Sequence, residues 1–405
     1  MSLTPVTGAT LRTEEYLLDP FPVWRRLRED QPLFYDDVAQ RWILTRYDDV
    51  VAVLRNPAVY SARPYQERFR PVFGRTHAEL DGPRHRRERT IVAPAFVGKS
   101  LDGYRPMIDA SVAHLAADLE GQRSFDLVDT VTSRLPLRVI ATLLGFPEAD
   151  TDFLFEIGHA VLEGLADEPV LRAKGADAHR RLAEHLGPII GDRRDNPSTD
   201  LISRVVHGEA EGERLTHDEI CSFISFLLAA GGPTTDMAVR NFWWALLSEP
   251  DELRRCQDDH ERIDRAFSES LRRDGPIVYE DRRTNVDVEW YGKLIPAETD
   301  ILVCLGSANT DDTVFADPES FDPDRTDLLM GVERKPGYRA GGVAGHLAFG
   351  LGSHFCMGYQ LARVEVVAAT EHLLLPLGDV RLVEPQTPRI TWYERTVHAL
   401  PVEVR

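Results

Sequence analysis

Cys356 stands in Phe349-Gly350-Leu351-Gly352-Ser353-His354-Phe355-Cys356-Met357-Gly358, a lone cysteine on a loop punctuated by glycines. That spacing suits a thiolate ligand of haem iron. A thiolate in this place pushes electron density onto the iron and favours O–O cleavage, whereas a histidine ligand suits oxygen carriage or peroxidase work. The glycines let the backbone approach the porphyrin and turn N–H groups toward the sulfur, where they stabilise its charge. Cys356 reads as opening a helix over residues 357–362 and onward, and a helix N-terminus lowers a thiol pKa. The bland alternative is a buried, inert cysteine at a loop–helix junction, which the complete decapeptide disfavours.

The decapeptide resembles the haem-binding signature of the cytochrome P-450 monooxygenases. The Phe, the two glycines, the basic residue two before Cys and the Gly two after it all match. The resemblance implies a mainly α fold with small peripheral β-sheets, a single domain over residues 1–405, and a long distal helix on the face opposite the cysteine loop. It implies haem b as cofactor, with Cys356 as the axial ligand and Phe349, Gly350 and Gly358 shaping the loop.

Residues 216–247 form the second chemical element. Thr216 and Glu219 make a capping box before a long apolar run. About thirty residues at 1.5 Å each give a rod roughly 45 Å long, and apolar residues all round mean it is buried. Asp236, Arg240 and the Gly-Gly-Pro break exclude a membrane span. In the family that the chain resembles, this helix carries Ala-Gly-x-acid-Thr. Here the segment reads Ala230-Gly231-Gly232-Pro233-Thr234-Thr235-Asp236, so Gly231 and Thr234 match and Pro233 replaces the acid. By the resemblance Thr234 is a proton donor to bound oxygen, working through water. Its alternative is a hydroxyl bonded back to the preceding turn. Proline removes one N–H, so the carbonyl of Ala229 loses its helical partner, and a groove at Gly231 could hold water. Asp236 is either a displaced acid or, preferentially, the i,i+4 partner of Arg240.

Further landmarks follow in family order. Glu269 and Arg272, at i,i+3 on one helix face, match Glu-x-x-Arg, and Arg325 in the Phe315 to Arg325 stretch is their third partner, a structural group. Haem propionates need cationic donors. By the resemblance these are His85 and Arg89, spaced i,i+4, together with Arg282 and His354. Substrate contacts would come from Leu227, Ala230, Ile277, Val278, Tyr279, Trp392 and Tyr393, and from residues 60–80, read as an irregular loop rich in Arg, Pro and Gly. Residues 326–345 exceed the length usual in the family. Their Arg334, Lys335 and Arg339 suit either a docking patch for an acidic ferredoxin or an ordinary surface insertion.

The elements that must position these groups are mostly helices. Helical patterns cover residues 22–30, 47–54 and nearly all of 81–247, and strands are expected at 32–35, 42–45, 286–290, 301–304 and 389–404. No linker, repeat or low-complexity run divides the 405 residues. Four cysteines without a CxxC pair argue against disulfide or zinc frameworks and for a reducing compartment. The first 19 residues lack an apolar run for a signal peptide or anchor, which points to a cytoplasmic protein without membrane contact. A monomer is expected, though the sequence does not fix the oligomeric state. A net charge of −19 repels nucleic acid and anionic lipid. No flavin or nicotinamide motif is present, so electrons would come from a separate ferredoxin and ferredoxin reductase.

The expected activity is a dioxygen-dependent oxidation, such as hydroxylation, of a small, largely apolar secondary metabolite. Pro233 raises the alternative of atypical oxidation, by aryl or C–C coupling or with peroxide. A haem protein that binds a ligand without catalysis is the remote alternative.

Overall fold

The computed structural model describes residues 5–166, 168–329, 343–391 and 393–405. Trp392 and the basic residues Arg334, Lys335 and Arg339 lie outside the described residues.

The central helix, His217–Ser248, is capped as its sequence requires. Thr216 Oγ1 accepts from Glu219 N at 3.2 Å and Glu219 Oε2 accepts from Thr216 N at 2.9 Å. The helix runs through Pro233 without ending. Gly232 is what lets the helix Leu135–Leu144 cross there, because a Cβ at Gly232 would stand 2.9 Å from Leu137 Cδ2. A Cβ at Gly231 would meet Ile140 Cδ1 at 3.0 Å, so these glycines serve close helix packing. The largest core cluster surrounds this helix, with Ile224, Leu228, Val239, Phe242 and Trp243 among its fully enclosed members.

Small sheets flank the helical body. In the five-stranded sheet the order is Leu33–Asp36, Arg41–Leu44, Asp300–Cys304, Tyr279–Thr284, Tyr60–Ser61. Pairing is antiparallel except where Asp300–Cys304 runs parallel to Arg41–Leu44, with Leu302 opposite Ile43. Among the described residues no helix is long and apolar enough to cross a membrane.

Three local expectations need correction. Residues 60–80 are ordered into the strand Tyr60–Ser61, the helix Pro64–Phe73 and the 3-10 turn His77–Glu79. Pro64 is tolerated in the first helical turn, Phe69, Val72 and Phe73 recur on one buried face, and Gly74 at φ 77° ends the helix. Tyr279–Thr284 is a strand that its charged composition concealed; it pairs on both sides, and tertiary pairing overrides propensity. The helix after the cysteine begins at Tyr359 with Gly358 as its N-cap, so Cys356 sits in the loop before it and does not open it.

Glu269 and Arg272 are both fully enclosed. Arg272 Nε and Nη2 donate to the two carboxylate oxygens at 2.8 and 2.7 Å, and its remaining donors reach the carbonyls of Asn309, Pro318 and Ser320. Arg325 Nε lies 3.0 Å from Glu269 Oε2. The structure therefore brings all three together, and the cluster fastens the helix Glu261–Asp274 to the segment leading into the cysteine loop.

Candidate active site: a cavity between the cysteine loop and the central helix

The loop's backbone is what presents Cys356. Cys356 N donates to the carbonyl of Phe349 at 2.8 Å, closing the loop on itself. Gly350 and Gly352 have φ of 68° and 75°, and a Cβ at Gly352 would stand 2.5 Å from the carbonyl oxygen of Leu54. Side chains are excluded at both places by backbone conformation and space. Cys221, Cys256 and Cys304 are buried, whereas Cys356 is accessible. It faces a cavity of about 280 Å³, walled on one side by the loop and on the other by Leu227, Ala230, Gly231 and Thr234 of the central helix.

Burial pushes the Cys356 thiol up, opposed by the backbone N–H of Gly358 and the guanidinium of Arg89. The lowering expected from a helix start does not prevail, because the sulfur stands before the helix in an enclosed site. Coordination to a metal would itself deprotonate it.

Cationic groups gather along the cavity. Arg89 lines it and donates to the carbonyl of Phe355. His354 also lines it, with Nε2 3.1 Å from Asp81 Oδ1, and its ring lies 4.3 Å from that of His85. His85 is buried, and its Nε2 has no partner among the described residues. Burial, with His354 and Arg89 nearby, lowers its pKa to about 4. Arg282 differs from the expectation. Its guanidinium turns to the carbonyl of Asp281 and to Glu280 Oε2, both at distances of 2.7 to 2.8 Å, and Glu280 takes the place on the wall.

On the opposite wall Thr234 Oγ1 donates to the carbonyl of Ala230 at 2.6 Å. Asp236 pairs with Arg240, whose Nε donates to Oδ1 at 2.6 Å. Among the named substrate candidates, Leu227, Ala230 and Ile277 line the cavity. Val278, Tyr279 and Tyr393 do not. Val278 and Tyr279 belong to a separate apolar cluster, and Tyr279 donates to or accepts from Tyr16 Oη at 2.6 Å. Tyr279 and Tyr393 line a second cavity of about 150 Å³ with Tyr16, Ile43, Leu302 and Ile390. Ile277 lies before the strand in a lone bridge with Glu394, whereas Tyr279 begins the strand opposite Cys304, a member of that separate cluster.

Phe96, Ile140, Phe226, His77 and Ala78 also line the main cavity. Phe96 and Ile140 carried no sequence signal beyond being apolar. His77 lay inside a segment read as irregular, and Phe226 was visible only as part of the apolar run.

These residues fit a haem: an accessible thiol in a cavity, a guanidinium and imidazoles beside it, and one buried nitrogen still unpartnered. A mainly helical body with a long helix facing a cysteine loop across such a cavity defines a haem-thiolate oxidoreductase. The family model described as Cytochrome P450 matches residues 171–377. The erythromycin C-12 hydroxylase of Saccharopolyspora erythraea is 33% identical over 92% of this chain and 90% of its own. Cytochrome P450 monooxygenase PikC of Streptomyces venezuelae is 32% identical over 99% of this chain and 95% of its own. The solved structure of cytochrome P450 CYP109Q5 from Chondromyces apiculatus superposes with a TM-score of 0.86 at 28% identity, covering 98% of this chain and 97% of that one. The chain belongs to the cytochrome P450 family: it is a P450 monooxygenase of bacterial type, and its cofactor is haem b held by a cysteine thiolate.

Proposed function

We propose that this monooxygenase hydroxylates or otherwise oxidises a small, largely apolar secondary metabolite, using dioxygen and two electrons from a separate ferredoxin and ferredoxin reductase, with Cys356 as the residue whose thiolate would hold the haem. The observation that carries the reading is one cavity joining the Cys356 thiol to Ala230, Gly231 and Thr234. Relatives acting on such molecules, the erythromycin C-12 hydroxylase among them, support the substrate class.

Bound haem supplies the activation of dioxygen. The chain's own residues do the rest. His85, Arg89 and His354 offer cationic or N–H donors for the propionates, and Arg282 does so where its guanidinium exchanges Glu280 for one of them. The Cys356 loop holds the sulfur through Gly350, Gly352 and the Phe349 carbonyl, while Glu269, Arg272 and Arg325 keep the segment before it in place. Leu227, Ala230, Phe226 and Ile277 exclude water and face the substrate. Thr234 Oγ releases the Ala230 carbonyl to hold a water and pass on its proton. The exposed Arg84 and Arg86 on the helix Gly82–Val92 suit an acidic ferredoxin. A cytoplasmic monomer is the setting we favour.

A second reading, oxidation without oxygen insertion or with peroxide, is favoured by one observation: Pro233 stands where a carboxylate would be, and Asp236 is committed to Arg240. Screening metabolites for a low-to-high-spin shift of the ferric Soret band, then measuring product and peroxide with ferredoxin or with added peroxide, tests both. Oxygen incorporated with ferredoxin supports the first reading, and turnover confined to peroxide or to coupling supports the second.

A further inference from the structure

His77 is held on the cavity wall by a built turn. Gly74 reverses the chain after the helix Pro64–Phe73, Thr76 enters the 3-10 turn in extended backbone, and two residues on Glu79 is fully buried with Arg70 Nε 2.7 Å from its carboxylate. The imidazole is 7% exposed, with its ring 5.4 Å from Phe226 and 5.9 Å from Phe223, both on the central helix before Ala230. Its exposed edge faces the cavity, where Ala78, Phe96, Ile140, Phe226 and Leu227 are its neighbours along the wall. Several other polar groups on the wall are engaged: Arg89 with the Phe355 carbonyl, His354 with Asp81, Glu280 with Arg282 and Thr234 with Ala230; Glu365, whose Oε2 is buried without a partner, stands on the helix that follows the cysteine loop, away from Ala230 and Thr234 in sequence. Neither ring nitrogen of His77 is hydrogen-bonded to another described residue.

A polar group buried without a partner is costly. A ligand oxygen that bonds to it recovers that loss and is oriented by it, and a site built to bond such an oxygen rejects the analogue lacking it. Burial lowers the His77 pKa to about 3, so the ring is neutral at physiological pH and can either donate or accept. An apolar wall disfavours a charged group. We infer that His77 is a specificity-determining residue that bonds a carbonyl or hydroxyl oxygen on an otherwise apolar, uncharged substrate, so that the part of the molecule facing Thr234 is chosen by the distance from that oxygen. This rests on the haem-thiolate reading of the cavity and names the chemistry its substrate must carry. The competing role is a further propionate donor, since the His85 ring lies 6.4 Å away.

The test uses the ferric holoenzyme and two probes of matched shape, decalin and 2-decalone, titrated by the Soret shift. Wild type should bind the ketone roughly tenfold more tightly, the worth of one buried hydrogen bond. His77→Phe should reduce that ratio to within about twofold while leaving decalin unchanged, and His77→Gln, which keeps a donor and an acceptor, should retain part of it. A ratio that survives in His77→Phe, or a wild type that binds the two alike or neither, overturns the inference. Loss of haem from His77→Phe with the ketone preference intact in the remaining holoenzyme overturns it in favour of the propionate role. A wild type lacking the long-wavelength Soret band of its reduced carbon monoxide complex would instead sink the haem-thiolate reading itself.

Discussion

Thr234 Oγ1 donates to the carbonyl of Ala230, 2.6 Å away on the preceding turn of the central helix. The hydroxyl that faces the cavity is thus satisfied by its own helix, and its part in proton delivery depends on leaving that carbonyl for a water. Pro233 beside it carries no acid to recharge such a relay.

Thr234→Ala should therefore divert electrons to hydrogen peroxide and lower product per electron consumed by about tenfold or more, given the usual worth of a positioned proton donor. Pro233→Glu should leave product formation similar or better coupled. Product and peroxide assayed against NAD(P)H oxidised distinguish this from a purely structural hydroxyl, for which Thr234→Ala would keep full coupling.

Cys356→Ser should abolish the long-wavelength Soret band of the reduced carbon monoxide complex. Cys221→Ser, Cys256→Ser and Cys304→Ser should keep it, because those thiols are buried away from the cavity. Retention of the band in Cys356→Ser would remove the central residue assignment.

Arg272→Ala leaves the Glu269 carboxylate enclosed with only Arg325 as a cationic partner. Breaking a buried pair by removing one member costs about 3–5 kcal/mol. Folded yield and Tm should fall sharply, while the fraction that does fold should keep its carbon monoxide spectrum. A Tm within a degree or so of wild type would show the cluster to be dispensable.

His346 is buried, and burial, aided by the nearby Arg272, lowers its pKa to about 4. Its Nδ1 accepts from Ala348 N at 3.3 Å, which requires the neutral ring. In the unfolded chain the pKa is about 6.5, so the unfolded state binds more protons between the two values. The contribution is fully present above about pH 6.5 and is lost as pH falls toward about 4, amounting to about 3 kcal/mol at most. His346→Gln should flatten the acid side of a stability-against-pH curve in that window. An unchanged slope from pH 6.5 to 4 would place the acid sensitivity elsewhere.

What the amino-acid sequence determined by itself is chemistry written in contiguous, local signals. The cysteine decapeptide, the Thr216–Glu219 capping box and the i,i+3 pair Glu269 and Arg272 each depend on spacing along one loop or one helix, and short-range geometry follows from spacing. Only the tertiary structure decided which distant groups share the cavity. Ile277 faces it and Tyr279 does not, because Ile277 lies before the strand in a lone bridge with Glu394, whereas Tyr279 enters the pairing opposite Cys304, and such partners are a property of two segments. The helix Pro64–Phe73 was illegible amid prolines and arginines, since its stability comes from packing Phe69, Val72 and Phe73 against helices far along the chain. His77 became a wall residue through the turn that follows that helix, and Arg282, on the same strand face as Glu280, spends its guanidinium on that carboxylate while Glu280 reaches the wall. Phe96 and Ile140 illustrate the general limit: an apolar residue beside a cavity and one in the core have the same sequence signal, and only closure of the fold around empty space separates them.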